Sequence, residues 1–209
     1  MIATANGHLV RPKKFKISDI PPALIHEILD GKPLFRRGYR DVINKTKSIE
    51  DIMGTGRLQA TLLDYLLGLL FEKLNRKIYL IGTGEVGLHL ERRNNLSNDI
   101  AIFERSKLDS VRLEKSYFNI PPALNIEIDT DIEFDGMSHD DYVQIKTQKL
   151  LDFGSRRVIW FFTSTRNVMV AEPNRAWITV SWNHEIELLE GIRANVGEFL
   201  ESEGFVVID

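Results

Sequence analysis

The chain has no cysteine, which excludes disulfides, zinc–thiolate centres and iron–sulfur clusters and fits a reducing compartment. It also lacks an apolar run long enough to span a bilayer. The longest, near Leu62 to Phe71, is broken by Asp64 and Gly68. Residues Met1 to Gly7 have neither the basic start nor the apolar stretch of a signal peptide, so a soluble, cytoplasmic protein is expected, with no membrane partner. Positive charge is not in excess either: 27 Lys and Arg face 30 Asp and Glu, for a net charge of −3. That balance counts against a protein that coats nucleic acid with a broad basic face. It leaves room for local patches, which set the field a phosphate meets. The short basic clusters are Arg11 to Lys14, Arg36-Arg37 with Arg40, Arg92-Arg93 and Arg156-Arg157, and such doublets are common on any surface. Repeats and low-complexity tracts are absent, and the five histidines show no ligand spacing.

What remains is an ordinary globular composition, 43% hydrophobic and 27% charged over 209 residues, enough for one domain with a full core. Residues 1–17 read as a loose arm. Ser18-Asp19-Ile20-Pro21-Pro22 followed by Leu24, Ile25, Ile28 and Leu29 reads as a helix start with apolar residues at helical spacing. Gly31-Lys32-Pro33 then ends that helix, and Leu34 to Tyr39 suggests a short strand. Ser48 with Asp51 resembles a cap before a short helix to Met53. Arg57 to Asn75 is the longest helical pattern, so rich in leucine that it should lie between the sheet and something else, such as a partner subunit in a homodimer. Strand patterns follow at Lys77–Ile81, Glu85–Leu90, Asp99–Phe103 and Ala123–Asp129, with Gly82 to Gly87 read as a hairpin turn between the first two. A helix from Asp140 to Phe153 ends at Gly154. Strands at Arg157–Phe162, Val168–Val170 and Trp177–Val180 come next, and residues 185–209 read as a C-terminal helical extension. This order predicts an α/β (α+β) protein with a mixed sheet flanked by helices.

Two acids interrupt the apolar strands. Asp99 opens one, and Glu127 shares a face with Asn125 and Asp129, opposite Leu124, Ile126 and Ile128. On neighbouring strands their carboxylates could come within a few ångströms. At about 4 Å they repel by about 4 kcal/mol for an effective dielectric near 20. Such a pair persists with a cation or a raised pKa, and hard divalent ions favour such oxygen sites. Lys146, on the following helix, could orient a hydrolytic water and counter phosphate charge. Each residue alone also has a structural reading: a turn-forming Asp, an edge-strand Glu facing water, a surface Lys.

Asn95 to Phe103 resembles the first acidic strand of the PD-(D/E)xK nuclease superfamily, and Pro121 to Ile128 its second. Lys146 to Gly154 with Val158-Ile159-Trp160 is similar to a lysine helix and the strand after it, and Glu27 to Gly31 to an N-terminal "ELIDG" segment. The order and spacing, from about Pro21 to Val180, resemble the Uma-two family of restriction-endonuclease-like proteins, whose lysine sits on a helix. The resemblance implies a metal-dependent endonuclease hydrolysing DNA phosphodiesters by in-line attack of water. Asp99, Glu127 and the Ile128 carbonyl would bind Mg²⁺ or Mn²⁺, Lys146 would assist the water, and Glu27 would join as an outer acid. Lys149 is the competing lysine. Lys146, Leu150 and Gly154 reproduce the family's four-residue steps better. The chain departs from the pattern at Asn98, where the superfamily has proline, at Asp129, where many members have lysine, and at Gln59, near the place of a family histidine. Gln59 cannot transfer a proton. It therefore favours the alternative, a non-catalytic nucleic-acid- or protein-binding descendant of the fold. A structural oligomer built on the leucine-rich helix is a third reading.

Overall fold

The computed structural model describes residues 20–108, 115–129, 132–133 and 136–207. The expected arm, residues 1–17, and the cluster Arg11 to Lys14 lie outside these residues. Among the described residues a mixed sheet of nine strands forms the body, with a separate two-stranded hairpin near the C-terminus. Among the described residues no helix is long and apolar enough to cross a membrane.

The segment expected as the first helix is instead a strand, β1 (Ile25–Leu29), after a single 3₁₀ turn over Pro22–Leu24. It pairs antiparallel with β2 (Lys32–Arg36), displaced from the strand expected at Leu34 to Tyr39. The reason is the tight turn. Asp30 and Gly31 both have positive φ, 51° and 76°, which matches the twist of a two-residue hairpin and suits Asp-Gly. The short helix α1 (Tyr39–Ile43) follows, and Ser48 hydrogen-bonds Asp51 before a 3₁₀ turn.

The leucine-rich helix α2 (Arg57–Lys73) buries Leu62, Leu66 and Leu70 against one face of the sheet. The strands expected at Lys77–Ile81 and Glu85–Leu90 are one strand, β3 (Tyr79–Glu91). Gly82 to Gly87 is no hairpin turn: the register of β3 against β4 (Asn94–Glu104) is broken between Thr83 and Val86 and then continues. An irregularity of this kind bends a strand without ending it. Asp99 therefore lies in the middle of β4 rather than opening it.

β4 has different neighbours along its length opposite β3. Its early part meets β1 at Ile28↔Asn95. Its later part pairs antiparallel with β5 (Leu124–Ile128), from Ile100↔Ile126 to Ile102↔Leu124. Between Asn95 and Ile100 the sheet forks. β2 continues to the two-residue β6 (Ile132–Glu133). β5 pairs parallel with β7 (Arg157–Phe162), which leads through β8 (Asn167–Ala171) to β9 (Ile178–Ser181).

Helix α3 (His139–Phe153) packs on the face opposite α2. Ser138 and Asp141 form a reciprocal capping box, and Gly154 ends the helix at φ 114°. Because α3 carries Lys146, the cap is a clean probe of local stability. Ser138→Ala should cost about 1 kcal/mol, read as a lower denaturation midpoint with an unchanged denaturant slope. A midpoint equal to wild type would remove the cap from the list of stabilising contacts.

The C-terminal segment, expected as a helical extension over residues 185–209, is helical only in part. It forms a hairpin, β10 (Ile186–Leu189) with β11 (Ile192–Ala194), and then a short helix α4 (Val196–Ser202). Glu190 and Gly191 turn the hairpin with φ of 53° and 75°. This unit packs on α2: Tyr65 stacks on Phe199 at 4.1 Å, and its hydroxyl accepts from the Asn195 N–H at 3.0 Å. The cover expected over the leucine-rich helix comes in part from the chain itself.

Candidate active site

The fork in the sheet leaves Ser97 without a complete ladder on that side, and side chains take the ladder's place. The Ser97 N–H donates to Glu27 Oε1 at 2.9 Å, and its carbonyl accepts from Lys146 Nζ at 2.7 Å. Glu27 comes from β1, Lys146 from α3, and the two are joined at 2.7 Å. Lys146 also lies 2.9 Å from Glu127 Oε1, on β5. The Tyr142 hydroxyl, one helical turn before Lys146, donates to Glu27 Oε2 at 2.8 Å. The ammonium is 1% exposed, flanked by the rings of Tyr142 and Trp160 at 5.6 and 5.5 Å. Trp160 stands beside Glu127 in the β5–β7 register, and its indole N–H donates to Thr147 on α3.

Asp99 completes the cluster. Continuing the β4–β5 register past Ile100↔Ile126 sets it across from Glu127. Its Oδ2 accepts the Ile128 N–H at 2.7 Å. The expected alternation of β5 holds: Leu124, Ile126 and Ile128 face α2, while Glu127 faces α3. Gln59 of α2 reaches the same place and donates to the Ile128 carbonyl at 3.3 Å.

Burial sets the charge states. It opposes the charge on Lys146, but the Glu127 and Glu27 carboxylates outweigh it and raise the pKa. Burial likewise works against ionised Glu27, yet Lys146 prevails and its pKa is lowered. Glu127 goes the other way. Burial raises it well above the ordinary carboxylate range, and repulsion from Asp99 and Glu27 adds to burial against the pull of Lys146. The site thus holds one firm ion pair, Lys146 with Glu27, and a second acid short of positive charge.

Asp99, Glu127 and Ile128 line a cavity of about 130 Å³ with Tyr142, Gln59 and Asp129. A wider groove of about 660 Å³ adjoins it, sharing Gln59 and Asp129 and lined further by Arg57, Thr163 and Thr165. Among the described residues no three His, Asp or Glu side chains cluster as a self-sufficient metal cage. The donor set is two carboxylates and a carbonyl. That suits a hard cation that keeps several waters or takes phosphate oxygens. The charge balance points the same way: Glu127 is buried, and the cation beside its Oε1, Lys146 Nζ at 2.9 Å, is shared with Glu27.

Of the residues singled out from sequence, Asp99, Glu127, Ile128, Lys146 and Glu27 converge here. Lys149 does not: it pairs with Asp30 at 2.7 Å. Asp129 gives both carboxylate oxygens to Thr163, capping the β7–β8 turn. Sequence reasoning missed His26, Tyr142 and the pair Arg36–Glu85, all lining the cavity. His26 is one of the five histidines without ligand spacing; burial lowers its pKa and favours the neutral ring. Tyr142 was visible only as the residue one turn before Lys146.

No protein-family model matches the chain, and no curated protein matches it. Among solved structures it resembles a DUF820 protein from Anabaena variabilis ATCC 29413, for which a nuclease role has been suggested. The match has a TM-score of 0.57 at 15% sequence identity and covers 79% of this chain and 82% of the other. At that identity the likeness speaks for the fold alone: the chain shares with that protein an α+β architecture, a mixed sheet flanked by a few helices.

Proposed function

We propose that the chain is a divalent-metal-dependent endonuclease that hydrolyses DNA phosphodiesters and belongs with the Uma-two and DUF820 proteins. One observation carries this reading: Asp99 and Glu127, distant in sequence, meet at one cavity, with the buried Lys146 ammonium 2.9 Å from Glu127 Oε1. Asp99, Glu127 and the Ile128 carbonyl would hold Mg²⁺ or Mn²⁺. When bound, the ion offsets the charge of the two acids and polarises the scissile phosphate. Lys146 is an ammonium in this site, with two hydrogen bonds and an ion contact fixing it. Its raised pKa excludes it as a resting base. It supplies positive charge and holds the Glu127 carboxylate in place, while Glu27 and Tyr142 hold Lys146.

Gln59 on the Ile128 carbonyl favours a second reading, a binding protein that has lost turnover. One experiment separates them. Purified wild-type protein should nick plasmid DNA with Mn²⁺, lose the activity in EDTA, and lose it by roughly a hundredfold or more in Asp99→Asn, as when a charge-stabilising group is removed. Equal cleavage by both proteins would remove the nuclease claim. Absence of both cleavage and Mn²⁺ heat in calorimetry would favour the binding protein.

A further inference from the structure

Arg36 and Glu85 line the cavity that holds the acids, yet nothing in the proposed chemistry uses them. Arg36, at the end of β2, reaches to Glu85 at the irregularity of β3. The pair is bidentate, with both guanidinium nitrogens 2.7 Å from the two carboxylate oxygens. The Arg36 side chain is 12% exposed, while that of Glu85 is 48% exposed. The arginine is therefore built into the wall, and the carboxylate lies over it from outside. Glu85 also sits where the backbone is under strain. It has φ of 58°, next to Gly84 at 85°, where the β3–β4 register is broken. A glutamate in the left-handed region needs the surroundings to hold it there.

We infer that Arg36 is a phosphate-binding residue of the cleft and that Glu85 is an internal stand-in for the phosphate, displaced when nucleic acid binds. The two non-bridging oxygens of a phosphodiester meet a guanidinium fork as a carboxylate does. Exchange of one for the other keeps the guanidinium fork engaged throughout. Release of Glu85 also removes one negative charge from the mouth of an acidic cavity. The inference rests on the nuclease reading for its substrate class, but it is tested by binding.

The test is fluorescence anisotropy of a labelled DNA duplex in EDTA, with wild type, Glu85→Gln, Arg36→Lys and the double variant. Glu85→Gln should bind about tenfold tighter, since the competent state is no longer masked. Arg36→Lys keeps the charge but loses the fork and should bind about tenfold weaker. In that background Glu85→Gln should gain little. Glu85→Asp, whose shorter arm loosens the pair, should fall between wild type and Glu85→Gln and serves where the amide variant folds poorly. If Glu85→Gln melts lower but binds no tighter, the pair is a structural pin and the inference fails. It fails too if neither wild type nor Glu85→Gln binds DNA. Tighter binding without cleavage by any protein in Mn²⁺ would sink the nuclease reading and leave the phosphate site standing. Cleavage with a flat Glu85→Gln response would do the reverse.

Discussion

Lys146→Met should destabilise the fold by about 3–5 kcal/mol, the cost of breaking a buried ion pair by removing one partner. Methionine nearly fills the space of the lysine stem, so the loss is one of charge rather than volume. What remains is Glu27, buried with the Ser97 and Tyr142 donors, and Glu127 beside it. The acids then have to bind protons or break the fork open. The deficit should therefore be largest near neutral pH and shrink as acid protonates both carboxyls. In the wild type the ammonium's contribution runs the other way: with its folded pKa raised, it is present through the neutral range and is lost only in strong alkali. Adding Glu27→Gln to Lys146→Met should recover part of the loss, with a coupling of roughly 0.5–3 kcal/mol. Urea denaturation of the four proteins measures it. A single variant melting within roughly 2–4 °C of wild type, a shift worth about 1 kcal/mol at this size, would mean the pair is not dry.

The same ion pair explains why part of the site was legible in the sequence and part was not. α3 announced itself, with a Ser-x-x-Asp start, a glycine stop and apolar positions between. β5 could be read because alternation separates Leu124, Ile126 and Ile128 from Glu127. Once those elements are fixed, Lys146 and Glu127 must meet. β1 was misread because its pattern is inverted. Glu27 is buried, while Ile25 and Ile28 are only half-buried. A buried acid reads as polar and therefore exposed, so Leu24, Ile25, Ile28 and Leu29 looked like a helix face. The corrective signal was Asp30-Gly31, a hairpin dipeptide in a segment read as a helix terminus. At the C-terminus no such signal was strong, since Glu190-Gly191 is an uncommon turn pair and Glu185 to Leu200 has few breakers. Tertiary packing on α2 decided that segment. Arg36 and Glu85 meet only through the irregularity in β3, which local pattern does not show.

Glu127→Gln should have the opposite stability effect from Lys146→Met while removing activity. In metal-free buffer the folded state binds the Glu127 proton more tightly than the unfolded chain does, because burial and then the neighbouring acids raise the carboxyl's pKa. A raised carboxyl favours folding below the ordinary carboxylate range, and its contribution is lost as pH rises through the raised value. Wild type in EDTA should therefore lose stability on going from weakly acidic to neutral pH. Glu127→Gln has no proton to lose, keeps the Lys146–Glu27 pair intact, and should show a flatter profile with an equal or higher melting temperature at neutral pH. Millimolar Mn²⁺ should raise the wild-type melting temperature, since a ligand of the folded state stabilises in proportion to the logarithm of its occupancy ratio. It should leave Glu127→Gln nearly unmoved. DNA cleavage by the variant should fall by roughly a hundredfold or more. A variant that folds better, ignores the metal and does not cut would mark Glu127 as a residue kept at a cost in stability for what it binds. A Mn²⁺-induced shift equal to that of wild type would instead move the metal site away from Glu127 and take the proposed chemistry with it.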